Sequence, residues 1–197
     1  YGEDADDSFI AMEYVAGTSL LACTTPRNRL PLADTLSVLG QLLDALSYAH
    51  ARGVWHRDIK PSNLIVTAGG RLKITDFGIA RIDAAALTQD ALVMGSCGYM
   101  APECYHGVGL DKRVDLFACG VVLYELLTGR RPFEGQPGAV MYRLLHEEPP
   151  PLASHAVDAD EAAAFAPYEV IVARAMARDR EMRFASAQEM LDALTIV

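Results

Sequence analysis

Hydrophobic and polar positions along the chain predict a mainly helical protein with a few short strands. Apolar residues recur at three- and four-residue steps over Leu32–Arg52, which predicts an amphipathic helix that ends before Gly53. Three further helices are predicted over Gly138–Glu147, Tyr168–Arg178 and Ser186–Thr195. The predicted fold class is therefore α+β, with helix dominating.

One segment is apolar on nearly every side. Asp115–Thr128 carries leucine, valine and phenylalanine around the whole helical circumference, and Gly129 follows it. A helix that is apolar all round is normally buried in the middle of a domain. We therefore expect this segment to form the central helix of the protein.

The strand signals are short. Phe9–Val15 is predicted as a strand that is broken by residues 16–19. Asn63–Thr67 and Leu72–Thr75 are predicted as two β-segments joined by a glycine turn. Arg81–Ser96 has no period and is predicted to be a long exposed loop, and such loops in compact domains usually carry function.

Composition excludes several classes of protein. Apolar residues make up 51% of the 197, so a folded core is expected, and the net charge of −9 argues against nucleic-acid binding. The apolar run Leu116–Tyr124 is far shorter than the roughly 20 residues that cross a bilayer. Four dispersed cysteines fit neither a zinc site nor a disulfide scaffold, which favours reduced thiols in the cytoplasm.

Three clusters of residues follow one another in the chain, and they are His56–Asn63 (HRDIKPSN), Asp76–Gly78 (DFG) and Gly95–Glu103 (GSCGYMAPE). Each tripeptide alone is a weak signal, but the three in this order and spacing resemble the signature set of protein kinases. The chain resembles the catalytic domain of bacterial-type (Hanks-type) serine/threonine protein kinases. The resemblance covers nearly the whole chain.

The resemblance assigns roles to four residues. It implies that Asp58 accepts or orients the proton of the substrate hydroxyl, that Lys60 steadies the transferred phosphate, and that Asn63 and Asp76 bind Mg²⁺ (or Mn²⁺). Oxygen ligands of this kind suit such a cation. Taken singly, each residue also fits a turn or a strand end. Their occurrence together favours the catalytic interpretation.

The same resemblance implies supporting roles around this set. His56 is expected to pack on Phe77 rather than act as a base, with Gly78 completing that motif, and Arg57 is expected to meet a phosphate on the activation loop. We expect that phosphate on Thr88, as a site of autophosphorylation. Ser96 stands where the family usually has a threonine that bonds the catalytic Asp and Lys, so a structural role is expected for it. Cys97 stands where the family often has proline, and we expect it to act as a small packing residue rather than as a redox site.

Further matches concern the scaffold and the nucleotide. Asp115 resembles the residue that starts the central kinase helix, and Glu103 with Arg183 resembles a buried ion pair that anchors the activation segment. The segment from Met12 to Gly17 resembles the hinge, so the resemblance implies that ATP is bound by a set of residues on the hinge and the floor of the cleft: Glu13, Val15, Ile65 and Asp76. Plain core packing is the alternative for the hinge and for Leu64 and Ile65.

The sequence also departs from the family. Upstream of Phe9 there is no glycine-rich phosphate loop and no Val-Ala-x-Lys strand, and the chain begins with Tyr1. We therefore expect a kinase-like C-lobe without its N-lobe, with residues 1–16 as the last N-lobe strand and hinge. Residues 17–197 would be the C-lobe, with a catalytic loop at 56–63 and an activation segment at 76–103. Such a fragment is expected to bind ATP weakly and to have little or no activity alone.

Three functions stay open at this point. The first is a kinase that transfers the γ-phosphoryl group of ATP to Ser or Thr of proteins, self-associating for autophosphorylation, in the cytoplasm or as the cytoplasmic part of a membrane-anchored protein. The second is a non-catalytic, kinase-like binding module. The third is a phosphotransferase for small molecules, against which the Met100–Glu103 segment argues, since it resembles a peptide-substrate platform.

Overall fold

The computed structural model describes residues 12–77, 97–107 and 109–196, with only the backbone of His106, and adds the backbone of residues 2–4 and 7–9. Within these residues the helices are α1 Leu32–His50, α2 Pro102–His106, α3 Arg113–Thr128, α4 Pro137–His146, α5 Ala159–Ala175 and α6 Ala187–Ile196. The strands are β1 Gly2–Asp4, β2 Asp7–Phe9, β3 Gly17–Ser19, β4 Thr24–Thr25, β5 Asn28–Arg29, β6 Leu64–Thr67 and β7 Leu72–Ile74. The protein is mainly helical with small sheets, as predicted.

Helix α3 is the centre of the core. Every residue from Val114 to Thr128 is buried, and α3 packs against α1 on one side and α5 on another. The helix ends at Gly129, whose φ of 70° is left-handed and therefore favours glycine. The prediction of a buried central helix that stops at this glycine is confirmed.

Helix α1 brings an amphipathic face to that core. Its buried residues are Thr35, Val38, Leu39, Leu42, Leu43 and Leu46. The helix ends at His50, and Gly53 follows with a φ of 74°. The predicted helix and its glycine stop are confirmed, with the end two residues earlier than expected. Its last residue lies six positions before His56, where the predicted catalytic loop begins.

A three-stranded antiparallel sheet in the order β3–β6–β7 carries the residues that follow the predicted catalytic loop. In its register Leu64 lies opposite Ile74, and Thr18 lies opposite Val66. The two predicted β-segments are confirmed to within one residue at each end. The expectation that residues 16–19 only break a strand is wrong, because residues 17–19 form β3 and pair with β6.

Close approach between strands explains the glycine in β3. A Cβ atom on Gly17 would lie 2.5 Å from the Val66 carbonyl oxygen and 2.6 Å from a methyl carbon of Ile65. Real Cβ atoms do not approach backbone oxygens that closely, so a side chain here would force the strands apart. Gly17 is therefore required where the chain leaves the hinge-like segment for the sheet.

Two predicted elements differ in extent. The strand predicted over Phe9–Val15 is wrong, because β2 ends at Phe9 and residues 12–16 have no regular secondary structure. The helix predicted to begin at Tyr168 begins at Ala159, where Asp158 caps it by accepting from the Glu161 N–H at 2.8 Å. Proline favours helix starts, but α5 continues through Pro167.

The remaining helices follow the sequence closely. Helices α4 and α6 are confirmed to within one residue, whereas the short α2 was not predicted. The loop predicted over Arg81–Ser96 lies outside the described residues. Among the helices of the described part, none is long and apolar enough to cross a membrane.

Candidate active site

The loop between α1 and β6 brings three of the predicted site residues into contact. The Lys60 Nζ lies 2.8 Å from Oδ2 of Asp58. The Asn63 amide donates to the Asp58 carbonyl oxygen at 2.8 Å and to its Oδ2 at 3.2 Å. A short 3₁₀ turn, Pro61–Asn63, closes the loop and places the buried Asn63 beneath the carboxylate. One carboxylate, one ammonium and one amide thus form a single cluster.

Asp76 joins this cluster through the sheet. The Thr75 N–H donates to the Asn63 carbonyl oxygen at 2.9 Å, so the chain leaves β7 directly beside the end of the catalytic loop. Asp76 has a φ of 57°, a left-handed conformation that costs a non-glycine residue roughly 1–3 kcal/mol. Its carboxylate is exposed. The backbone is therefore held in a strained turn that presents this carboxylate to solvent.

The oxygens of Asn63 and Asp76 fit a hard divalent cation. Both amide hydrogens of Asn63 are committed to Asp58, which leaves its Oδ1 as an acceptor with only a 3.3 Å contact from the Ser62 hydroxyl. No group of three His, Cys, Asp or Glu residues that could hold a metal occurs among the described residues. The oxygens of Asn63 and Asp76 suit Mg²⁺, which is commonly held by one or two protein oxygens, with phosphates and water completing the shell.

A buried carboxylate fixes the start of the loop. Asp115, in the first turn of α3, accepts from the backbone N–H of Arg57 at 2.7 Å and of His56 at 2.9 Å. The ring Nε2 of His50 lies 2.8 Å from the same carboxylate. Arg57 has a φ of 64°, and the hydrogen bond that its N–H donates to the central helix holds this strained residue in place.

His56 is committed to structural contacts through both ring nitrogens. Its Nδ1 accepts from the Asp58 N–H at 3.2 Å, and its Nε2 lies 2.8 Å from the Thr75 carbonyl oxygen. This arrangement requires a neutral ring with its proton on Nε2. The expected ring contact with Phe77 is present, with centroids 4.6 Å apart. His56 therefore links the catalytic loop to the segment that carries Asp76.

Glu103 and Arg183 form the expected ion pair. The two guanidinium nitrogens donate to the two carboxylate oxygens at 2.7 and 2.8 Å, a bidentate geometry. The Arg183 side chain is fully buried, and its Nε donates to the Ala177 carbonyl oxygen at 2.7 Å. Breaking such a buried pair costs about 3–5 kcal/mol. The pair ties the last residue of the predicted activation segment, in the first turn of α2, to the region between α5 and α6.

The predicted nucleotide-binding residues are spread over the hinge-like segment and β6. Glu13 is exposed and lies 3.6 Å from the Lys73 ammonium, while Val15 is partly buried. Ile65 is also partly buried, so part of its side chain is open to a ligand. Leu64, by contrast, has no exposed surface and belongs to the core, which agrees with the alternative of plain core packing for this residue.

Several predicted residues fall outside the described part of the chain. Gly78, Thr88 and Ser96 lie there, so their roles stay predictions.

Cys97 is described and buried, and its carbonyl oxygen accepts from the Tyr105 hydroxyl at 2.6 Å. Its neighbour Cys104 has its pKa raised to about 12 by burial and by the Glu103 carboxylate. Burial of Cys97 agrees with the expectation of a small packing residue.

Sequence reasoning missed the contacts made by two buried polar residues close to the site. The Tyr99 hydroxyl donates to Oε2 of Glu125 at 2.5 Å, joining the segment before α2 to the end of α3. Burial raises the pKa of both groups. His50 was missed in the same way. A polar residue at a buried position of the α3 pattern was the available signal for Glu125, whereas nothing in the sequence indicates the partner of His50.

Comparison with known proteins matches this architecture to one family. A family model described as "Protein kinase domain" matches residues 1–192. The chain is 36% identical over 189 residues to serine/threonine-protein kinase PknB of Mycobacterium leprae, covering 92% of this chain and 29% of that protein. It is 39% identical over 197 residues to a probable serine/threonine-protein kinase of Streptomyces coelicolor, covering 96% and 28%. The chain thus spans less than a third of the length of these relatives.

Proposed function

The chain belongs to the protein kinase domain family, with serine/threonine-protein kinases as its relatives, and from that premise we propose that it catalyses phosphoryl transfer from ATP to Ser or Thr hydroxyls of proteins. The observation that carries the proposal is the contact of Asp58, Lys60 and Asn63 in one loop, with Asp76 leaving the sheet beside it. A lobe that only bound partners would have no chemical need for this set.

Each residue has a distinct task in the proposed reaction. Asp58 orients the attacking hydroxyl and takes its proton as the oxygen–phosphorus bond forms and the bond between the γ-phosphorus and the bridging oxygen breaks. Lys60 adds positive charge beside that carboxylate, where the transferred phosphoryl group passes. Asn63 and Asp76 would hold Mg²⁺ (or Mn²⁺). When bound, that ion neutralises charge on the phosphates.

The fixed geometry around Asp58 supports this assignment. Its backbone N–H is engaged by His56, its carbonyl and carboxylate oxygens accept from Asn63, and Lys60 pairs with the carboxylate. A carboxylate held from several directions reaches the hydroxyl in one orientation, which is how positioning lowers a barrier. Glu13, Val15 and Ile65 would then bind the adenosine end of ATP.

Replacing Asp58 by Asn in the full-length protein tests the proposal. The variant keeps the shape and the hydrogen bonds to Asn63 but cannot take the proton, so kcat should fall by about 10²- to 10⁴-fold. The measurement is transfer of radiolabelled γ-phosphate to a Ser/Thr peptide, with Asp160→Asn, an exposed change in the first turn of α5, as control. Full activity in Asp58→Asn would reject the assigned role.

We further propose that the 197-residue chain alone binds ATP weakly. Met12 and Tyr14 of the hinge-like segment are 68% and 89% exposed, and Ile65 offers one apolar surface, so few described groups enclose an adenine ring. Enclosure of most of the ligand surface is what gives small-molecule sites their affinity. Isothermal titration of the chain with Mg·ATP should give a Kd above the micromolar range, and a submicromolar Kd would contradict the proposal.

The remaining assignments belong to the same proposal. Substrates would be proteins that carry Ser or Thr acceptors, and Thr88 would be phosphorylated by a second copy of the protein, its phosphate meeting the exposed Arg57. The protein would act in the cytoplasm, either free or as part of a membrane-anchored chain. Phosphopeptide mapping of the active protein tests Thr88 directly, since an unmodified Thr88 would reject its assignment.

A further inference from the structure

A cleft of about 540 Å³ opens beside Lys60, between the loop that carries it and the segment after α3. Its charged lining consists of three cations and two carboxylates: Lys60, Arg130, Arg131, Glu125 and Glu134. Pro61 and Ser62 of the catalytic loop also line it, so its contents lie next to the residues that would hold the substrate hydroxyl. The charge of this cleft therefore bears on which substrates fit.

Two of the five charges are already engaged. Lys60 is paired with Asp58 at 2.8 Å, and the carboxylate of Glu125 accepts from the Tyr99 hydroxyl at 2.5 Å. Glu125 is 5% exposed, and burial raises its pKa, so this carboxyl group is protonated more readily than an exposed one. Glu134 is exposed at the rim, where solvent screens its charge. The two arginines are left to set the potential of the cleft.

Arg130 and Arg131 differ from the other arginines near the core. Arg29, Arg113 and Arg183 each have a guanidinium nitrogen 2.7 Å from a carboxylate oxygen. Within the described residues, no carboxylate lies within 4.0 Å of the guanidinium of Arg130 or Arg131.

Their placement suits a ligand. Arg130 is exposed, whereas Arg131 is partly buried and its guanidinium lies against Gly98, 3.6 Å from where a Cβ atom would be. One arginine is thus held in place and the other reaches solvent. Long-range attraction between Arg131 and Glu125 explains Arg131 in part, and the charge of Arg130, after burial, helps to lower the pKa of His155.

We propose that this cleft, through Arg130 and Arg131, binds an acidic side chain of the protein substrate close to the phosphorylated Ser or Thr. The inference rests on the proposed kinase function and adds a substrate class to it. Guanidinium groups recognise carboxylate and phosphate alike through paired N–H donors. The side chain bound is therefore Asp, Glu or a residue phosphorylated beforehand.

Peptide kinetics with the full-length protein test the proposal. The probes are threonine peptides with alanine flanks in which one position at a time, on either side of the acceptor, carries Glu, phosphoserine, Lys or Ala. At one position or more, kcat/KM should be about 5- to 20-fold higher for Glu than for Ala, the scale of a charge-assisted contact at a partly exposed site. This ratio should fall toward one in Arg130→Ala/Arg131→Ala and stay unchanged in Arg71→Ala.

A control variant and a second cleft variant distinguish loss of the arginine contact from loss of the fold. Arg71 is exposed in the turn between β6 and β7 and does not line the cleft. Arg130→Glu changes an exposed side chain alone, and it should shift preference from Glu toward Lys at the same position. No preference for an acidic flank in the parent protein, or a preference that both cleft variants retain, would overturn the proposal.

A binding measurement separates this inference from the kinase proposal. Fluorescein-labelled peptides with Ala at the acceptor position report binding by anisotropy without any transfer. If no peptide is phosphorylated, the function is rejected, yet binding of Glu peptides that is lost in Arg130→Ala/Arg131→Ala still supports the acidic cleft ligand. Absence of such binding overturns it. Comparable gains for Glu and phosphoserine indicate acidic substrates, and a gain for phosphoserine alone indicates previously phosphorylated ones.

Discussion

At the scale of single residues, Asp115 connects the central helix to the catalytic loop. Its carboxylate is fully buried and accepts hydrogen bonds from two backbone N–H groups. The ring of His50 lies beside the same carboxylate. One of the two backbone donors belongs to Arg57, whose left-handed conformation would relax without that bond. The loop that carries Asp58 is therefore shaped by a residue that lies outside it.

Replacing Asp115 by Asn should separate shape from chemistry. The amide keeps the size of the side chain but turns one acceptor into a donor facing N–H groups, so the free energy of unfolding should fall by about 2–4 kcal/mol. Because the Arg57 backbone is released, kcat should also fall while Asp58 is intact. Urea denaturation and peptide kinetics measure the two effects.

The exposed Asp192→Asn serves as the control for this variant, since it lies on α6 away from the loop. Loss of stability with an unchanged kcat would show that Asp115 supports the core alone. An Asp115→Asn protein with both values unchanged would remove the proposed link between α3 and the loop.

At the scale of elements, the packing of α3 on α5 depends on a glycine. A Cβ on Gly120 would lie 2.8 Å from the Cβ of Ala175 and 3.0 Å from the Cγ of Met176. The contact with Ala175 cannot be relieved by rotating a side chain, because a Cβ is fixed to its backbone. The two helices would have to move apart to admit even a methyl group.

Gly120→Ala is therefore expected to destabilise the protein although alanine favours helix. Overpacking a core typically costs about 1–3 kcal/mol, which exceeds the gain of about 1 kcal/mol in helix propensity. Gly40→Ala in α1 is the matched control, since its nearest contact would be Leu191 at an ordinary 3.7 Å. Urea denaturation should show loss of stability in the first variant and a gain in the second, and equal gains would refute the close packing.

The elements also show how far sequence patterns reach. Helix α3 is predictable because its apolar residues surround it, and α1 because its apolar residues keep one period. Strand β3 and the first half of α5 are not, since β3 exists only through pairing with β6 and Pro167 resembles a helix start. Local signals specify elements that carry their own pattern, whereas pairing between distant segments needs the folded chain.

The candidate site shows the same difference between contacts within one segment and contacts between distant segments. The motif residues Asp58, Lys60 and Asn63 could be predicted because the family resemblance rests on one continuous segment, and they do form one cluster. The link from His50 to Asp115 spans 65 positions, and the cleft beside Lys60 combines the catalytic loop with the segment after α3. These contacts are set by how α1 and α3 cross, which no single segment encodes.

At the scale of the whole molecule, stability responds to pH through buried and paired carboxylates with opposite signs. Burial raises the pKa of Glu125 above its ordinary value of 4.5, so the folded protein holds that proton more tightly than the unfolded chain. Its contribution to stability therefore falls as the pH rises from 4.5 through the folded pKa. Glu189 behaves oppositely, since the Ala185 N–H and Arg174 lower its pKa.

Glu125→Gln and Glu189→Gln should consequently respond to pH in opposite ways. Gln at position 125 still accepts from Tyr99 and avoids a buried charge, so this variant should gain stability relative to the parent between pH 4 and pH 7. Gln at position 189 loses a charge whose stabilising effect grows as the pH rises to 4.5 and is constant above it, so the stability of this variant relative to the parent should decline as the pH rises toward 4.5 and then stay level. Urea denaturation at a series of pH values gives both differences directly, with each variant serving as the other's control. The contributions of other titrating groups, including His155, cancel when each variant is compared with its parent at the same pH. Two stability differences that change with pH in the same direction would therefore contradict the assignment.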